Sequence, residues 1–314
     1  MKNLFPMILW NLWNLLIGDE FVKILVTGIN GFVGSSLIPF FAGNYVIGVG
    51  RQDYCDIDIN CYLKWDITYW EPDKFAQIGD VDVIIHAAAS LSVDDDDPDI
   101  VNVNCLGTYN VYKLAKYTKA KQVFYISGAP IIGIPIEHPI TEKHILEPQL
   151  MYHATKLCGE YILNQLNKLG IEVINLRINA PIGARMQIKS IVPIFIDNAI
   201  KGHDLILNGK GSRKQTYLDV RDLGDVICKN LLKMGINGVY ILAGDKAISN
   251  IDLARLCIEI CNSKSRIVFS GCYDEADEII WDYDCSKAKK VLNFSPRYSI
   301  EDSIRWIASK KMLT

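Results

Sequence analysis

A doubly wound α/β fold, an open parallel sheet with a smaller mixed lobe appended, is what this 314-residue sequence predicts. Three observations point to it. From Phe21 onward, short β-branched runs alternate with helical stretches, as a parallel sheet with crossover helices requires. A glycine-punctuated turn joins the first of those runs to the first helical stretch. Hydrophobic residues make up 50% of the chain, enough to cover both faces of such a sheet.

Taken in order, the first seventeen residues, MKNLFPMILWNLWNLLI, are apolar at helical spacing. Asn11 and Asn14 interrupt them and no small-residue cleavage site follows, so residues 1–20 read as an amphipathic helical extension that docks on the body or on a partner subunit. Neither a secretory signal nor an integral membrane span fits. VKILVT is then the first strand, GFVGSSLIPFFA a helix, and YVIGVG and VDVIIHAAA further strands. A helix from Val101 to Tyr117, the strand KQVFYIS, a helix from Tyr152 to Leu169 and the strand IEVINLR complete the regular alternation. After Asn179, the residues Pro181, Gly183, Pro193, Gly202, Gly209 and Gly211 punctuate shorter elements. TYLDV and GVYILAG read as strands returning to the first sheet, and a strand is expected near Arg266 to Phe269.

The glycine turn carries the first chemistry. In KILVTGINGFVGSSL, Gly28 permits a tight turn, Gly31 admits a pyrophosphate close to the backbone, and Gly34 lets helix and strand pack. The helix start supplies free N–H groups and the positive end of its dipole. Residues 21–179 with about 214–246 are therefore expected to form a dinucleotide-binding (Rossmann) domain, and about 180–213 with 247–314 a substrate-binding lobe. A carboxylate at the end of the second strand would select NAD, but Gly50 stands there and Arg51 follows, which tilts the choice between NAD and NADP slightly toward NADP.

Tyr152 and Lys156 stand four apart on one helix and so project from one face. A neighbouring ammonium stabilises phenolate, which brings a phenol toward useful acid–base work near neutral pH. The overall charge of −3 leaves no excess of basic side chains for nucleic acid. Nine dispersed cysteines without a CxxC pair read as a reduced, cytoplasmic protein. Cys257 and Cys261, one turn apart, read as packing, so no metal site is expected, and the run Asp94 to Asp97 with Pro98 and Asp99 reads as a helix cap.

Jointly, TGINGFVG (27–34), Asp66 in WDIT, HAAA (86–89), Asn104 with Gly107 and Thr108, YHATK (152–156) and RINAPIG (177–183) resemble the extended short-chain dehydrogenase/reductases, in particular the nucleotide-sugar epimerase/dehydratase family. The resemblance runs from Val22 to Trp306. It implies that Phe32 and Val33 join the glycines at the cofactor, that Asp66 and Ile67 lie at the adenine, and that Ala87 and Ala88 run along the cofactor beside Lys156. Asn104 would brace the central helix and Asn179 would face the substrate. A homodimer through the helices around 101–117 and 152–169 is implied as well.

Departures from the family pattern sharpen the expectation. The usual catalytic Ser or Thr stands five residues before the glycine of a V-Y-G turn; with Gly133 as that glycine, Gly128 occupies the place and Ser127 falls one position early. Ser127, a water or Thr155 would have to stand in. Ala129 and Pro130 replace the acidic pair of the dehydratases, which disfavours expulsion of water. Where the family usually carries a basic residue on the later strand, Gln215 stands instead, with Arg213 nearby as the substrate's cationic partner. The expected activity is a cofactor-dependent epimerase or reductase of a small sugar substrate, a nucleotide-sugar by resemblance, with Tyr152 as acid/base. A non-catalytic dinucleotide-binding sensor or scaffold is the alternative that Gly128 motivates.

Overall fold

A computed structural model describes residues 21–92, 94–187 and 189–312. The expected helix within 1–20 lies outside the described residues. Seven parallel strands form the main sheet: β1 (Lys23–Thr27), β2 (Tyr45–Gly50), β3 (Cys61–Lys64), β4 (Val83–His86), β5 (Gln122–Gly128), β6 (Glu172–Ile178) and β7 (Gly238–Leu242). Across the sheet they run 3-2-1-4-5-6-7. The order reverses between β1 and β4, so a crevice opens at their carboxyl ends, where doubly wound sheets bind ligands.

Alternation along the strands explains why the runs are apolar throughout. Ile24 and Val26 face one buried layer and Leu25 the other; Phe124 and Ile126 oppose Val123 and Tyr125 in the same way. One layer is closed by α1 (Phe32–Leu37), which tightens into a 3-10 turn through Phe41, and by later helices; the other by α2 (Thr108–Tyr117) and α3 (Met151–Asn164). The expected 101–117 helix is interrupted: Asn102–Gly107 form a π-helical turn that carries Asn104. Such turns are frequent where a helix must re-aim a functional side chain.

A third apolar cluster gathers α4 (Ile191–Lys201), Tyr217, α6 (Asn250–Ile260) and α8 (Ile300–Lys311), with Cys257 fully buried among them. Two elements depart from expectation. Leu218–Asp219, within TYLDV, pairs only with Pro181–Ile182, and it is β7 alone that rejoins the main sheet from this region. The stretch 285–294, expected in the lobe, returns to the large sheet: Cys285, then Ala288 and Leu292 of α7 (Ser286–Leu292), and Phe294 pack on the same layer as Leu223 and Val226 of α5 (Val220–Lys229). The strand Ile267–Phe269 forms as expected, paired with Leu205–Leu207. Among the described residues, no helix is long and apolar enough to cross a membrane.

Candidate active site

Backbone contact fixes the glycine turn. Gly28 has φ +70°, and a Cβ there would stand 2.7 Å from the backbone of Ala88; a Cβ on Gly34 would stand 2.3 Å from the Gly28 carbonyl oxygen. Both positions are closed to other residues, because loop and helix meet with no side chain between them. A cleft of about 400 Å³ opens beside this turn, lined by Gly28, Gly31, Arg51, Asp66, Ile67, Ala87 and Ala88 of the expected set, and by Asn30, Gly50 and Ser90. Phe32, Val33 and Gly34 form the first turn of α1; the Phe32 ring lies against Gly183, and Val33 packs on the core. Asp66 accepts hydrogen bonds from the N–H and hydroxyl of Thr68, at 3.0 and 2.8 Å. Arg51 pairs with Asp99 at 3.6 Å, both side chains being exposed.

Asn104 stitches the cleft to α3, the helix that carries Tyr152 and Lys156. Its oxygen accepts from Ser90 N–H at 2.9 Å, and its nitrogen donates to the Ser90 carbonyl and to Thr155 Oγ1, both at 3.0 Å. Thr155 lies between Tyr152 and Lys156 and donates in turn to the Tyr152 carbonyl at 2.8 Å. The π-helical turn thereby sets α3 in register with the wall of the cleft.

Beneath Lys156 lies a buried polar layer that sequence reasoning missed. Its ammonium sits 4.2 Å from the centroid of the Tyr125 ring, and Tyr125 stacks on His86 at 5.3 Å. His86 bridges Thr27 (2.8 Å) and Thr108 (2.9 Å), and burial lowers its pKa to about 3, so it is neutral. One turn beyond Lys156, Glu160 receives two hydrogen bonds from Arg177, at 3.0 and 2.8 Å, and one from Ser127 at 2.6 Å. All three are at most 4% exposed. A buried pair of this kind persists only with its remaining lone pairs satisfied, and Ser127 supplies one of those donors. The Tyr-x-x-x-Lys-x-x-x-Glu spacing was the available signal: it puts a third polar residue on the same helical stripe.

Electrostatics here differ from the expectation that Lys156 lowers Tyr152. Burial pushes the Tyr152 phenol up to about 12, and burial lowers Lys156 to about 7 against a smaller opposing pull from Glu160. Desolvation outweighs attraction because the ammonium is turned toward the Tyr125 ring. A consequence is measurable. Because the folded-state value lies below the unfolded one, the buried lysine destabilises the fold fully below about pH 7, and the penalty fades as pH rises toward about 10.4. Lys156→Met is expected to raise the thermal midpoint at pH 6.5, by on the order of 5 °C, with the gap to wild type closing by about pH 10. Calorimetry across that range checks it; a gap that widens with pH would contradict it.

The remaining expected residues are spread over the lobe. Asn179 is buried, and its amide nitrogen donates to the Thr216 carbonyl (2.8 Å) and hydroxyl (2.9 Å). Gln215 lies in a short strand flanked by Ile248–Ser249 and Ile280–Trp281. Arg213 Nε, Tyr217 Oη, Trp281 Nε1 and Tyr283 Oη are buried without hydrogen-bond partners. Burial pushes Tyr217 up to about 12 against opposing pulls from Gln215 and then Arg213, and burial raises Tyr283 against the Arg213 charge. Trp281 and Tyr283 carried no pattern that sequence reading could use.

Comparisons with known proteins agree with this architecture. Residues 24–243 match the family described as NAD dependent epimerase/dehydratase. A dTDP-D-glucose 4,6-dehydratase of Dictyostelium discoideum is 28% identical over 273 residues, covering 77% of this chain and 63% of that relative's length. The UDP-glucose 4-epimerase of Thermotoga maritima, solved with UDP-glucose, superposes with a TM-score of 0.84 at 22% identity, over 93% of this chain and 99% of the other. A dTDP-glucose 4,6-dehydratase of Streptomyces venezuelae, solved with NAD bound, gives 0.79 at 21% identity, over 93% and 98%.

Proposed function

The chain belongs to the NAD dependent epimerase/dehydratase family, and from that premise we propose that it interconverts a nucleotide-sugar by hydride transfer, as an epimerase or, with fresh reductant, a reductase. One observation carries the reading: Asn104 ties Ser90, in the wall of the glycine cleft, to Thr155, between Tyr152 and Lys156. A dinucleotide fits the residues present, because α1 starts at Gly31 with no side chain capping its first N–H groups, which leaves donors for a pyrophosphate at that helix start. Gly28, Gly31 and the first turn of α1 would hold it, with Asp66 and Ile67 at the adenine and Ala87, Ala88 and Lys156 toward the nicotinamide. When bound, the nicotinamide supplies the hydride acceptor and donor.

This chain's own residues then handle the proton. Tyr152 Oη takes it from a substrate hydroxyl or returns it to a carbonyl. Lys156, seated on the Tyr125 ring above the buried Glu160–Arg177 pair, would orient the cofactor one helical turn from that phenol. The buried, partnerless donors Arg213, Trp281 and Tyr283 suit the phosphate and hydroxyl acceptors of a nucleotide-sugar. Ala129 and Pro130 offer no acid beside the sugar, so elimination of water is disfavoured. Exposed Val101, Leu106, Tyr109 and Tyr161 on the α2 and α3 side suit a homodimer.

Turnover of UDP- and dTDP-sugars followed by NMR tests the reading. Epimer formation with catalytic cofactor marks an epimerase, and product only with stoichiometric NADH or NADPH marks a reductase. Cofactor binding without turnover of any of these sugars would refute it in favour of a binding protein.

A further inference from the structure

At the end of β2 the chain places an amide where a carboxylate is usual. A Cβ on Gly50 would stand 2.3 Å from Asn30 Oδ1, so Asn30, from the glycine turn, fills the space that a side chain at position 50 would take and would have to move aside for one. Asn30 and Gly50 both line the cleft. The amide has a defined sense: Nδ2 donates to the Tyr54 carbonyl at 3.3 Å, which turns Oδ1 the other way, and Oδ1 is buried without any hydrogen-bond partner. Tyr62, the other neighbour over Gly50, already donates its hydroxyl to the Gln52 carbonyl at 2.8 Å. The site thus holds an unused acceptor whose orientation cannot be reversed without setting two oxygens, Asn30 Oδ1 and Tyr54 O, against each other.

We infer that Asn30 is the cofactor-selecting residue: its Oδ1 accepts a hydrogen bond from the 2′-hydroxyl of the adenosine ribose and so favours NAD over NADP. This rests on the dinucleotide reading above. A 2′-hydroxyl is a donor and satisfies the orphaned oxygen, whereas a 2′-phosphate brings only acceptor oxygens and negative charge to it. Arg51, the residue that would welcome such a phosphate, is paired with Asp99 at 3.6 Å, so a phosphate would compete with a carboxylate already in place. Asn30 therefore outweighs the tilt that Arg51 gives.

Isothermal titration of protein stripped of bound nucleotide, with NAD, NADP and 2′-deoxy-NAD, tests this. Wild type is expected to bind NAD about tenfold more tightly than either other ligand, the worth of one buried hydrogen bond. Asn30→Ala should lose that factor for NAD and bind NAD and 2′-deoxy-NAD alike; Asn30→Asp should keep NAD and reject NADP more strongly. Wild type binding 2′-deoxy-NAD as well as NAD, or preferring NADP, would overturn the assignment while leaving the dinucleotide site standing. Binding of none of the three would sink the dinucleotide reading and this inference with it.

Discussion

Replacing Tyr152 by Phe is expected to lower kcat for nucleotide-sugar turnover by about 10³-fold while leaving dinucleotide affinity unchanged. The phenol oxygen is the atom proposed to exchange a proton with the substrate, and the ring that remains keeps the packing of α3. Nothing in the cleft that lines Gly28 to Ser90 depends on that oxygen. The loss should therefore appear in kcat, with the dinucleotide Kd as the control. A Tyr152→Phe protein that turns over at the wild-type rate would remove the phenol from the chemistry.

The second large effect runs in the opposite direction. Gly128 holds the place where a hydroxyl residue is usual, and its backbone, at φ −121° and ψ 132°, is ordinary extended chain. A Cβ there would meet only Pro130 Cδ, at 3.8 Å, so a serine fits without displacing anything. The protein's own substitutes are engaged: Ser127 donates to Glu160, and Thr155 donates to the Tyr152 carbonyl while accepting from Asn104. Gly128→Ser is accordingly expected to raise kcat by about 10²-fold, the scale of one hydroxyl or N–H that polarises a reacting oxygen. Gly128→Ala, which adds volume without a donor, should give no gain. Equal rates in all three proteins would mean that a bound water or the substrate itself already supplies this donor.

How much of this was legible in the sequence follows from the range of the interactions involved. The alternation of strands and helices, the glycine turn and the Tyr152/Lys156 stripe rest on periodicity and on spacings of three or four residues, which the chain states directly; the edge strand Cys61–Lys64 was not among the strands read. Asn104 was legible by resemblance, though not the π-helical turn that aims it. Ser127 was not: its commitment depends on Glu160 from α3 meeting Arg177 from β6, and no local pattern announces a pairing across two elements. The same holds for Lys156, whose ammonium is governed by Tyr125 on β5 and by burial rather than by its helical neighbour Tyr152. TYLDV misled because a short run of β-forming residues looks alike whether it joins a seven-stranded sheet or pairs with two residues, Pro181 and Ile182. The return of 285–294 to the main sheet was hidden for a related reason: an amphipathic helix shows that it has a buried face but not which layer covers it.

The absorbance of the bound nicotinamide, followed as protein loaded with NAD meets the nucleotide-sugar it turns over, tests the central claim most directly. Wild type should develop the reduced-nicotinamide band no more slowly than turnover if it epimerises, and should lose that band at the turnover rate when loaded with NADH if it reduces; Tyr152→Phe should do neither. Turnover in which the cofactor stays oxidised throughout, at an equal rate in both proteins, would contradict hydride transfer through this site.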